Sequence, residues 1–252
     1  MALGALVLPL LIAGAALTIL WAVAAALIWH RPAAGVLRSV GGVNAPAAAA
    51  RGTISAAEGE RLGDVTEGLC AALGLPVPDI LIIDGDVPNA LALGRGPEDA
   101  TLVLTAGTAR SLDRIELEAV LAHELAHVKS LDVLTAGVAA SPLGTAADAL
   151  SKGRFSAWLQ GPDREVRADL AGVSTTRYPP GLIAALERIA AGERVARPGQ
   201  MPAQGPELIV PDVRAGRRLE MSWLVPPSDG SGRPVRRARS ELDVRLAVLR
   251  EL

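Results

Sequence analysis

Leu121-Ala122-His123-Glu124-Leu125-Ala126-His127 is the stretch around which the rest of the chain can be read. It holds two of the three histidines, with a glutamate directly after the first. Residues four apart share one face of an α-helix, so His123 and His127 can point at one spot. Two imidazole nitrogens so placed suit a zinc ion, and Glu124 then stands where it can take a proton from water activated there. Outward from the motif, Leu117, Leu121, Leu125 and Val128 recur at helical spacing. Asp113 with Glu116 three residues on reads as the helix start. At this chain's own His and Glu frequencies, such a pattern arises by chance on the order of 0.002 times.

Composition narrows the classes. Acids (27) and Lys plus Arg (25) nearly balance, so no basic excess points to nucleic acid. Aromatic residues are 2% of the chain, so the core must come from Ala, Val, Leu and Ile. Cys70 is the single cysteine; it excludes an intrachain disulfide and reads as a small buried apolar residue.

Residues 2–29 carry no charged side chain. As a helix they would run about 42 Å at ~1.5 Å per residue, more than the ~30 Å apolar core of a bilayer. The stretch predicts a retained membrane anchor over residues 1–31, with Trp21 and Trp29 at the span and its interface. Arg31, Arg38 and Arg51 all follow it, which by the positive-inside rule predicts a cytoplasmic catalytic domain. A cleaved signal, and hence a secreted zinc protease, is the alternative.

Residues 32–54 mix Pro, Gly, Ala and Val and read as a linker. Ser55 with Glu58 opens a helix bearing Leu62, Val65, Leu69 and Leu73, stopped by Gly74 and Pro76. Ile80–Ile83, Ala90–Leu93 and Thr101–Thr105 read as short strands, the last two joined by the polar loop Gly94–Asp99. Residues 133–147 are apolar or small and broken by Pro142, and read as a loop-helix rather than a second span. Phe155, Trp158 and Leu159 follow it and read as packing residues. Gly161-Pro162 suits the start of a helix with proline first, carrying Glu165 and Asp169 on one face. Further helices are predicted near Pro180 and over Glu241–Leu252. Ala196–Val213 and Pro226–Pro234 read as loops, with Trp223 packing a short segment between them.

A catalytic zinc commonly takes three protein ligands and keeps a position for water. His123 and His127 supply two, and the third must be His, Glu, Asp or Cys from elsewhere. A carboxylate on a downstream helix is the better candidate, and Glu165 fits. Two neutral imidazoles and one carboxylate would leave the ion net positive, as activation of water requires.

Three segments carry a family resemblance: Pro88-Asn89-Ala90-Leu91-Ala92-Leu93-Gly94, Val120 to Lys129, and Glu165-Val166-Arg167-Ala168-Asp169. From about Ser55 onward the chain resembles the HtpX-like membrane zinc metallopeptidases, relatives of the CAAX prenyl protease. The resemblance implies a zincin-type fold with one Zn2+ per chain on His123, His127 and Glu165, and Glu124 as general base. It implies that Asp169 orients a metal-bound histidine. Asn89 and Ala90 match the segment where an extended substrate pairs with a strand edge. Arg245 matches the family arginine and is read as substrate-binding. Two departures stand out: the family has more membrane spans, and Ser240 to Arg245 lacks the family's His-Pro.

The reading is an α+β fold, a mainly helical zincin-like domain (55–252) with a small antiparallel sheet, behind one transmembrane helix (1–31) and a linker (32–54). The function it implies is a single-pass cell-membrane zinc endopeptidase for protein or peptide substrates. These would include membrane proteins, in quality control or regulated proteolysis, with lipid as a partner and no nucleic acid. The alternative is a catalytically silent, membrane-tethered scaffold keeping the same fold.

Overall fold

The computed structural model describes residues 16–23, 42–135, 163–195 and 236–252, together with a few single positions that include Gly161 and Leu224. Most of the predicted anchor lies outside them. Its described part is helical at 16–23, with Leu17, Ile19, Leu20, Trp21 and Val23 exposed. Among the described residues, no helix is long and apolar enough to cross a membrane. Most of 133–147, and Phe155, Trp158, Leu159, Trp223 and the loops predicted at 196–213 and 226–234, also fall outside them.

Local signals set the helix ends. Helix α2 (Ala56–Leu73) opens on the capping box of Ser55 and Glu58 and ends at Gly74, whose φ of 67° needs glycine's freedom. Its buried face is Leu62, Val65, Leu69 and Cys70. Helix α4 (Arg114–Lys129) opens on the capping box of Asp113 and Glu116. It is buried on nearly every side, histidines and Glu124 included, so it runs through the domain rather than over its surface.

The sheet is α4's floor. Its strands are β1 (Val43–Asn44), β2 (Asp79–Ile83), β3 (Ala90–Leu93) and β4 (Thr101–Thr105), in the order β1-β2-β4-β3. The expected antiparallel sheet is corrected to a mixed one: β1–β2 and β3–β4 pair antiparallel, but β2 and β4 run parallel. The cause is the chain path. After β2 it passes outward to lay down β3, then turns back through Gly94–Asp99 and inserts β4 between them. β3 is therefore an outer strand.

The linker reading is corrected at 43–50, where β1 and the short helix α1 (Ala45–Ala50) join the fold. Asn44 caps α1 through its side chain, and Ala48 is fully buried. A further short helix, α3 (Ala106–Ser111), follows β4 directly, capped by Thr105 accepting from Thr108 N. Helix α5 (Arg164–Thr176) begins after Asp163, two residues past the predicted proline start. Gly161 there has a φ of 73°, a left-handed conformation outside any helix. Helices α6 (Pro179–Val195) and α7 (Arg236–Arg250) complete the described domain.

Gly172 fixes the packing that matters most. A Cβ there would lie 3.0 Å from the backbone nitrogen of His123. Helix α5 thus comes against α4 at the first histidine, and one turn earlier it presents Asp169.

Candidate metal centre

His123, His127 and Glu165 come together from α4 and α5, each offering one atom within 4.8 Å of the others. The two Nε2 atoms are 3.1 Å apart. Glu165 Oε2 stands 3.4 Å from His123 Nε2, and Oε1 stands 3.6 Å from His127 Nε2. Donors about 2.0–2.1 Å from a tetrahedral ion lie roughly 3.3–3.4 Å apart, so the spacing fits one small cation.

The outer ring nitrogens explain why these atoms converge. His123 Nδ1 lies 2.7 Å from Asp169 Oδ1, a close charge contact outside hydrogen-bond geometry. His127 Nδ1 lies 3.2 Å from Asp132 Oδ2. Carboxylates at both Nδ1 positions draw protons there, so the two imidazoles, when neutral, would turn their Nε2 lone pairs with a carboxylate toward one point. A cation satisfies all three. The wider charge is acidic too: Glu124 and Asp132 lie near Arg164, and Glu165 and Asp169 near Arg245.

In the absence of an ion, a proton takes part of this role. Burial works against charging His123, but the Asp169 contact outweighs it, with help from Glu165, and its pKa rises to about 9. Burial also pushes Glu165 upward, yet the two histidines beside it hold it well below the usual carboxylate range. Glu124 is raised by burial, against the pull of His123 and His127. Its Oε1 is buried with no hydrogen-bond partner among the described residues.

Asp169 is held by the last helix. Arg245 Nε and Nη2 donate to its two oxygens at 2.6 and 2.7 Å, which keeps its carboxylate pKa low against burial. Arg245 is 3% exposed and turned to the interior. Its Nη1 donates to the Leu224 carbonyl at 2.7 Å and lies 3.6 Å from Glu165 Oε2. Its described contacts are thus inside the protein rather than on an open substrate-facing wall.

Asn89 and Ala90 are also buried. The Asn89 N–H is shared by the Thr105 and Thr108 hydroxyls, each at 2.9 Å, and its Oδ1 accepts from Ala90 N at 3.0 Å. Thr105 N donates to Asn89 O, so by ladder alternation Ala90 and Ala92 turn their backbone groups to the outer side of β3.

Asp132 and Leu224 went unread in the sequence. Asp132 returns to His127 because Leu131 adopts a φ of 63° at the end of α4, a left-handed turn that sequence pattern does not announce for leucine. Arg164 was also missed. It is 7% exposed, with Nε 3.7 Å from Glu165 Oε1, and its position directly before Glu165 was the available signal.

The profile of Peptidase family M48 matches residues 56–156. The chain is 37% identical over 177 residues to a Protease HtpX homolog of Salinibacter ruber, covering 60% of this chain and 62% of that one. It is 33% identical over 200 residues to a Protease HtpX homolog of Dictyoglomus thermophilum, covering 66% and 65%. A third, from Tropheryma whipplei, is 33% identical over 180 residues, covering 58% and 61%. The chain thus spans a little under two thirds of the length of these curated relatives. No solved structure gives a significant match. Family profile, relatives and the His-Glu cluster agree, and together they support an HtpX-like metallopeptidase of family M48.

Proposed function

We propose that the protein is a zinc-dependent endopeptidase, with His123, His127 and Glu165 as the metal ligands and Glu124 as the general base. The observation that carries this is the convergence of three donor atoms, backed on the far side by Asp169 and Asp132. When bound, the ion would supply Lewis acidity, lowering the pKa of water and polarising a carbonyl oxygen.

The chain's own residues do the rest. Glu124 sits beside the ligands, buried and with one oxygen unpaired, so that oxygen can accept the proton of the attacking water. Its raised pKa brings it nearer the working pH, which also suits returning the proton to the leaving amine. Asp169 and Asp132 keep the imidazoles oriented, and Arg245 holds Asp169 ionised. Strand β3 supplies an edge on which an extended peptide would pair through Ala90 and Ala92.

We extend the proposal to the whole chain: residues 1–31 anchor it singly in the cell membrane, and a peptidase domain over 55–252 faces the cytoplasm. Its substrates would be proteins or peptides, membrane proteins among them, cleaved in quality control or regulated proteolysis. Support comes from the uncharged run 2–29 and the arginines after it. The test is metal analysis of purified protein. We expect about one zinc per chain, casein cleavage abolished by chelation, and recovery with one equivalent of zinc. Cleavage that survives complete metal removal would refute the proposal.

A further inference from the structure

The backbone of Leu224 occupies the strand edge where a substrate would pair. Leu224 N donates to Ala90 O at 2.8 Å, and Leu224 O accepts from Arg245 Nη1 at 2.7 Å. The side chain belongs to the hydrophobic core, and the residue is 1% exposed. With the Ala90 N–H held by Asn89 Oδ1, both outward groups of Ala90 already have partners inside the protein. Ala90 itself is 0% exposed. An incoming peptide therefore finds no open backbone group at this position of β3.

We propose that Leu224 is an internal occupant of the substrate edge, an autoinhibitory contact that a peptide must displace before it can bind at Ala90. The inference rests on the peptidase reading above and on β3 as the pairing strand. Its chemistry is an exchange of like for like. A peptide residue that takes the place of Leu224 must offer an N–H to the Ala90 carbonyl and an oxygen to Arg245 Nη1. Otherwise a buried acceptor and a buried guanidinium N–H are left unpaired, which costs more than a hydrogen bond gains. Extended polypeptide has both groups on every non-proline residue, so the contact discriminates by backbone and not by side chain. Because Arg245 also holds Asp169, the exchange takes place on the residue that supports His123.

Hydrogen exchange on the zinc-loaded, full-length Glu124→Gln protein tests this, with a casein-derived peptide as probe and its binding followed separately by fluorescence anisotropy. The Leu224 amide should be protected in the free protein and exchange at least tenfold faster at saturating peptide. A Leu224 amide that stays protected while the peptide is bound overturns the inference. Leu224→Pro removes the N–H, and we expect it to lower KM for the same peptide severalfold. An unchanged or raised KM in a folded Leu224→Pro protein overturns it too, and if that variant does not fold, the exchange result decides alone. A peptide that binds neither wild type nor Glu124→Gln would instead remove the peptidase reading beneath, and this inference with it.

Discussion

Asp169 and Asp132 touch equivalent nitrogens of the two histidines, yet their loss should differ. Asp169 is 1% exposed and is the bidentate partner of a buried arginine. Asp169→Asn leaves Arg245 short of its counter-charge, and breaking a buried pair this way costs about 3–5 kcal/mol. It should also lower metal affinity ~10–100-fold, the usual effect of losing a histidine's outer partner. Asp132 lies at a helix end with its side chain 15% exposed, and Asp132→Asn should reduce affinity while leaving stability nearly unchanged. Chemical denaturation and chelator competition separate the two outcomes. Equal stability loss in both variants would contradict this assignment.

The His123 pKa sets a proton balance at the same scale. With its pKa raised to about 9 in the metal-free protein, His123 is protonated at pH 7 and must lose that proton to become a ligand. Zinc uptake at pH 7 should therefore release about one proton, and affinity should climb until roughly pH 9. Because the folded pKa lies above the ordinary 6.5, the contribution of His123 to metal-free stability is complete below pH 6.5. It is lost as pH rises through about 9. Calorimetry in buffers of different ionisation enthalpy measures the proton release. No release at pH 7 would contradict a protonated His123.

At the scale of elements, α4 and α5 form the site, and Gly172 sets how closely they approach. Gly172→Ala would place a Cβ 3.0 Å from backbone that cannot give way as a flexible side chain could. We expect a loss of about 1–3 kcal/mol from overpacking and a weaker metal centre, because Asp169 and Glu165 ride on the displaced helix. Thermal melts with and without zinc would show both effects. Much of α4 was legible in the sequence, since Asp113, Glu116, the leucine stripe and the paired histidines all signal one helix. The companion helix was legible only through Glu165 and Asp169. The glycine that seats it has no sequence signature, because its reason is a contact with a residue far away in the chain.

The same contrast holds for the sheet. Strands β2, β3 and β4 were readable from short apolar runs bounded by turn residues. Their order was not, since sequence neighbours β2 and β3 end up separated by β4, and period alone does not encode that path. The region at 43–50 misread as a linker because alanine-rich sequence has no stripe to reveal a buried face. Arg245 and Leu224 were the hardest to read. Their roles depend on three elements meeting, and no local pattern marks the meeting point.

For the whole molecule, we propose a buried peptidase centre tied to a membrane anchor. A reporter fused after Leu252 should report the cytoplasm, and fractionation should place the chain with membranes. An extracytoplasmic signal would overturn the orientation and leave the site chemistry untouched. The central claim is that Glu124 acts as a base beside a metal held by other residues. Its most direct test compares zinc content and casein cleavage for wild type and Glu124→Gln. The account predicts equal zinc, near one per chain, and cleavage lowered by about 10²–10⁴-fold in the variant. Equal zinc with equal cleavage would contradict it.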